Sequence, residues 1–134
     1  MRAIAGYEFD AAEALGEVLP EPAGLAVSGV PFASRCETTF HEFAGVLWIG
    51  YESPDWSVRR LGLERLAAIL AARLQTPERL AAAAAEAVAC KVRPRGLGVL
   101  CAARFSRGTA ARALVLRGTF DRPARRREFL ELCA

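Results

Sequence analysis

The chain of 134 residues has no asparagine, one lysine (Lys91) and one histidine (His41). Arginine in place of lysine fits an AT-poor coding sequence as well as any functional demand, so the skew carries little weight. No apolar run reaches the ~20 residues that cross a bilayer. The opening MRAIAGYEFD has two acids and no apolar signal core, so no membrane partner is expected and the expected location is the cytoplasm. The four cysteines, Cys36, Cys90, Cys101 and Cys133, include no CxxC pair. In a reducing compartment they are thiols unless they bind metal or do chemistry. GxGxxG, P-loop, HExxH and GxSxG are absent, which removes the motif-based routes to nucleotide cofactors, metalloprotease and hydrolase chemistry.

What is present describes one globular domain over residues 1–134, with an N-terminal helix and turn (1–23) and a core (24–134). Hydrophobic residues make up 53% and charged residues 25% of the chain, which excludes disorder. The net charge of +3 is mild. The run RPARRREF (122–129) is basic, but Glu128 and Glu131 lie within or beside it. A solvated helix face is expected there, and no nucleic-acid partner.

Periodicity gives the order of elements. Asp10 caps a short helix, AAEALGEVL, that ends before Pro20. GLAVSGVPFASR (24–35) and FAGVLWIGYE (43–52) read as strands; in the second, Leu47, Ile49 and Tyr51 share one face and Val46, Trp48 and Gly50 the other. Leu63, Leu66, Ile69, Leu70 and Leu74 recur at helical spacing over 61–75. Thr76-Pro77-Glu78 then restarts the chain as N-cap, first helical residue and first-turn acid of an alanine-rich helix. LGVLCAARF (97–105) and ARALVLRGTF (111–120) are strands joined by a turn with Gly108. A last helix follows, with Asp121 as cap. The order ββααββ predicts an α+β fold: a four-stranded antiparallel sheet with two helices on one face. Such a sheet leaves open edges, so assembly into a ring-like homo-oligomer is expected.

The candidate site is SRCETTFHEF (34–43), between the first two strands. Cys36 begins a metal site with His41, is a packed strand-end thiol, or is a nucleophile, which requires a lowered pKa. Arg35 points to the opposite strand face, so His41 is the candidate activator and acid–base group. Glu37 and Glu42 read as solvated or paired. Trp48 reads as core.

VPFASRCE (30–37), LGLERLAAILAARLQTPERLAAAAAEAV (61–88) and LRGTF with RREFLEL (116–132) together resemble the GTP cyclohydrolase I family, of the tunnelling-fold (T-fold) group. The likeness runs from about Gly29 to Cys133. It implies the T-fold and a site for a purine- or pterin-like heterocycle. In that family a zinc ion held by the Cys and second His of C-E-H-H and by a Cys of a downstream H-x-C activates water. Here Thr38 and Thr39 stand at the His-His positions as polar contacts to substrate. Cys101 falls about five residues early, some 16 Å along a strand. The resemblance therefore implies no metal and no other cofactor, and argues against ordinary zinc-dependent GTP ring opening.

The chain is also similar to the metal-free nitrile reductase of queuosine biosynthesis, whose Cys attacks a nitrile while a nearby Asp moves protons. Glu42 follows Cys36 at comparable spacing, and ARFSRG (103–108) resembles that enzyme's F-x-P-R-G. Its nicotinamide motif, E-x-K-x-x-K, is missing from GLERLAAIL. The retained feature is the T-fold anchor: Glu78 in TPERL stands where a carboxylate accepts two N–H bonds from the heterocycle. Arg65 stands near a phosphate-binding Lys of the relatives, and Arg107 matches an Arg-Gly; either suits an anionic tail. The expected function is a zinc-independent enzyme of small-molecule biosynthesis with Cys36, His41 and Glu42 catalytic and Glu78, Arg65, Arg107, Thr38 and Thr39 binding substrate. The alternatives are a non-catalytic binding or scaffold protein and a residual cyclohydrolase.

Overall fold

A computed structural model describes residues 11–133. Its frame is a sheet in the order β3-β1-β2-β4-β5, made of β1 (Ala23–Cys36), β2 (Glu42–Ser53), β3 (Leu74–Gln75), β4 (Gly96–Phe105) and β5 (Ala110–Gly118). The helices are α1 (Arg60–Ala71), α2 (Pro77–Val92) and α3 (Pro123–Leu132). The expected four strands pair antiparallel. The sequence reading missed β3, which pairs parallel with the end of β1 through Arg35↔Leu74 and Cys36↔Gln75. No helix among the described residues is long and apolar enough to cross a membrane.

The two faces of the sheet are covered differently. On one, Phe43, Leu47, Ile49 and Tyr51 of β2 and Leu97, Val99 and Cys101 of β4 meet Leu63, Leu66 and Leu70 of α1 and the buried alanines of α2 in a single core. Ala81, Ala84, Ala85 and Val88 repeat at helical spacing and are all buried, so α2 lies close against the strands with no bulky side chain to hold it off. Fully burying each large aliphatic side chain here stabilises the fold by about 1.5–3 kcal/mol. On the other face α3 sets Phe129 beside Phe120 and Leu100 in a smaller cluster, with Trp48 packed against it. The register partners Gly50 and Gly98 form the seat for Phe129. A Cβ at Gly50 would come 2.6 Å from the Phe129 ring and one at Gly98 2.9 Å from it, so neither position tolerates a side chain without moving α3.

Several boundaries differ from expectation. Asp10 lies outside the described residues. The N-terminal helix covers only 11–14 within them; Gly16 turns at φ +76° and Leu19 pairs with Ser57 through Leu19 N–H to Ser57 O at 2.7 Å. Helix α1 stops at Ala71 rather than running to Gln75, because Gln75 is drawn into the sheet and donates from Nε2 to Leu70 O at 3.0 Å. Asp121 is not the cap of α3: it closes a 3-10 turn, Thr119–Asp121, and Arg122 occupies the cap position without a side-chain bond. The reading of α2 holds, since Thr76 accepts from Arg79 N–H at 3.1 Å and Pro77 begins the helix.

Candidate functional site

One end of the sheet collects the β1–β2 turn, the start of α2 and the β4–β5 turn. The chain reverses after Cys36 in a tight loop. Cys36 N–H donates to His41 O at 2.9 Å and Phe40 N–H donates to Cys36 O at 2.8 Å. The loop is fixed once to β3 and once to α2: Glu37 N–H donates to Gln75 O at 2.9 Å, and the Arg79 guanidinium forks onto the Glu37 carboxylate at 3.2 and 3.3 Å. These ties set Cys36 and the first turn of α2, with Glu78, side by side. The β4–β5 turn joins them through Ser106 N–H to Glu42 O at 2.9 Å, bringing Arg107 to the same end. Beneath lies an aromatic floor, Phe32, Phe43 and Phe105, with ring centroids 5.8 and 5.3 Å apart.

The Cys36 thiol is held below its ordinary pKa. Hydrogen bonding from the Thr39 and then the Thr38 backbone N–H, helped by the Thr39 and Thr38 hydroxyls, favours the thiolate, and burial opposes it. The residue is only 6% exposed, but the hydrogen bonds outweigh burial and the shift stays downward. Cys101 behaves oppositely. It is in the core, and burial followed by the nearby Glu78 carboxylate pushes its thiol up to about 12.

Of the residues expected at the site, Cys36, Thr38, Thr39, His41, Glu78 and Arg107 converge at this end. Thr39 Oγ1 also accepts from His41 N–H at 3.3 Å. Glu78 is exposed, and among the described residues its carboxylate makes no hydrogen bond or ion pair. Glu42 is not brought to Cys36: strand alternation turns it to the Arg35 face, where the two pair at 3.2 Å. Arg65 also stands apart within the chain. It lies in the middle of α1 and donates from Nε to Ala14 O at 3.1 Å, tying down the N-terminal helical turn. Sequence reasoning missed the Glu37–Arg79 clamp, for which "CE" and "ER" gave no pairing signal. It also missed Phe40, at φ +62°. A signal for Phe40 did exist: the hairpin loop 37–40 has no glycine or asparagine to take the left-handed position.

The sequence model of GTP cyclohydrolase I matches residues 2–134. The chain belongs to the GTP cyclohydrolase I family. It is 31% identical to GTP cyclohydrolase 1 of Helicobacter hepaticus over 139 residues, covering 95% of this chain and 68% of the relative. It is 32% identical to GTP cyclohydrolase 1 of Dehalococcoides mccartyi over 144 residues, covering 96% and 76%. The fold is shared with the apo archaeosine synthase QueF-Like, at a TM-score of 0.64 and 16% identity over 73% of this chain and 97% of that one. The chain thus has the T-fold.

A catalytic zinc takes three protein ligands and keeps a fourth position open. In the turn after Cys36 the side chains that could join it are the Thr38 and Thr39 hydroxyls and the lone His41. Cys101 lies four residues back from Phe105, facing the core opposite Leu47. No group of three or more His, Cys, Asp or Glu able to hold a metal occurs among the described residues. The donor set of the described residues does not fit a catalytic zinc.

Proposed function

We propose that this family member binds a guanine- or pterin-like heterocycle on Glu78 and presents Cys36 to it as a thiolate, without zinc, in small-molecule biosynthesis. The observation that carries the reading is the pairing of a thiol lowered by two backbone N–H groups with an unpartnered carboxylate on the adjacent helix start. A carboxylate accepting two N–H bonds matches the amidine edge of such rings, and charge-assisted bonds of this kind are the strong ones. Cys36 would add to an electrophilic C–N carbon: a C–S bond forms, one C–N π bond breaks, and the nitrogen takes a proton from His41. Thr38 and Thr39 hold the turn, and Arg107 meets an anionic tail. Arg65, remote from Cys36 in one chain, reaches a site only across a subunit boundary. Open edges along β5 and most of β1 make a ring of identical chains the arrangement that supplies one.

The test is calorimetric titration with GTP and with a reduced pterin. Glu78→Ala is expected to lower affinity about a hundredfold, from the loss of two charge-assisted hydrogen bonds, with an unchanged circular dichroism spectrum. Equal affinity in the two proteins overturns the assignment of Glu78. A Cys36 adduct found by peptide mass spectrometry separates the enzyme from a binding protein.

A further inference from the structure

The Cys36 turn contains a residue in an unfavourable conformation with no packing reason for it. Phe40 takes φ +62°, in the left-handed region, where a bulky side chain is an outlier and glycine or asparagine is usual. Its ring is not buried in compensation, since the residue is 58% exposed, the most exposed large hydrophobic side chain among the described residues. The conformation is over-determined by its neighbours. Phe40 N–H is bonded to Cys36 O at 2.8 Å. Phe40 O accepts from Arg35 Nη1 at 2.6 Å, while the same guanidinium pairs with Glu42. Arg35 and Glu42 thereby act as a brace on the far face of the hairpin, a use for Glu42 different from the catalytic one expected of it.

Strain of this kind persists where the surrounding structure enforces it, and it gathers at ligand sites. The exposed aromatic directly follows Thr38 and Thr39 and belongs to the loop that Glu37 and Arg79 clamp beside Glu78. We propose that Phe40 is the stacking platform for the heterocycle, its ring meeting the flat face while Glu78 takes the edge. The assignment rests on the functional reading above and adds to it a selectivity for planar π systems over saturated amidines. Stacking on an aromatic side chain tolerates different heterocycles, so the edge chosen by Glu78 and the face covered by Phe40 divide the recognition between them.

The experiment uses the full chain with GTP and a reduced pterin as probes, and compares Phe40→Tyr, Phe40→Ala and Phe40→Gly with the unaltered protein and with Glu78→Ala. Affinity is expected to follow the ring: Tyr within about twofold, Ala and Gly both weaker by about tenfold or more. Thermal stability is expected to follow the backbone instead, with Phe40→Gly melting about 3–6 °C above Phe40→Ala, because alanine keeps the left-handed strain that glycine relieves. That divergence separates stacking from a merely structural role. If affinity in Phe40→Gly equals that of the unaltered protein while Glu78→Ala still abolishes binding, the platform is overturned and the functional reading stands. The same holds if Phe40→Gly changes only the mass of the assembly, to a smaller number of subunits, which would make the ring a contact between copies. If the unaltered protein binds neither probe, both fall together.

Discussion

The two ends of the sheet are built on opposite terms. At the end away from Cys36, polar groups are matched inside the chain. Glu52 is bonded to Thr119 and Arg125, Ser53 Oγ donates to Val92 O and accepts from the backbone of Asp55 and Trp56, and the Tyr51 hydroxyl accepts from Val58 N–H at 3.0 Å. Arg95 N–H and Thr119 N–H close the backbone there onto Glu52 O and Arg95 O; exposed heads such as those of Asp55, Arg93, Arg95 and Asp121 are left to solvent. At the Cys36 end Arg35–Glu42 and Arg79–Glu37 are paired, but other groups are left open. Backbone N–H groups are turned toward a thiol, Glu78 and Arg107 have no side-chain partner among the described residues, and Phe40 is strained and exposed. A fold satisfies its own polar groups where it needs only to stand, and leaves them unmatched where a ligand is to complete them.

The contrast is broken most forcefully at Gly118. It sits at φ 62°, ψ −132°, a region open essentially to glycine, and a Cβ there would run into the Arg95 carbonyl. Gly118→Ala is expected to destabilise the protein by about 2–4 kcal/mol by chemical denaturation, from backbone strain plus overpacking. A loss below about 1 kcal/mol would mean that this end is slacker than described.

A smaller effect on stability, with a large one on reactivity, is expected of the thiols. Cys36→Ser should change stability by less than about 1 kcal/mol, since a hydroxyl takes the same N–H bonds. The thiolate is the reacting form. A lowered pKa places the alkylation midpoint of Cys36 below the ordinary thiol range. Burial places Cys133 at about 11 and Cys101 at about 12, so those two stay protonated through neutral pH. With iodoacetamide at pH 7, peptide mass spectrometry should show Cys36 modified before Cys133, and Cys133 before Cys101. Cys36 reacting last of the three would contradict the turn as the source of the shift.

Much of the frame was legible because it rests on period and caps. Alternation in β2 set Leu47, Ile49 and Tyr51 against the helices, and Thr76-Pro77 fixed the start of α2. The two-residue β3 was not legible, since Leu74–Gln75 continues the helical pattern and only its pairing with Cys36 makes it a strand. Asp121 looked like a cap, but the chain first needed a 3-10 turn to bury Phe120. In the site, Cys36 and Glu78 were found by family likeness, whereas their adjacency depends on Glu37–Arg79, a contact 42 residues apart in sequence. The absence of asparagine, noted as composition, has a structural consequence: left-handed positions fall to Phe40 and Arg93.

The central claim is that the Cys36 end is where a planar heterocycle binds. Hydrogen–deuterium exchange, resolved by peptide, with and without GTP or a reduced pterin, tests it most directly. The account predicts added protection over 36–43, 76–80 and 105–109, and none over 50–54, 94–97 and 117–121. Protection at the second set alone, or none at either with both probes, would contradict it.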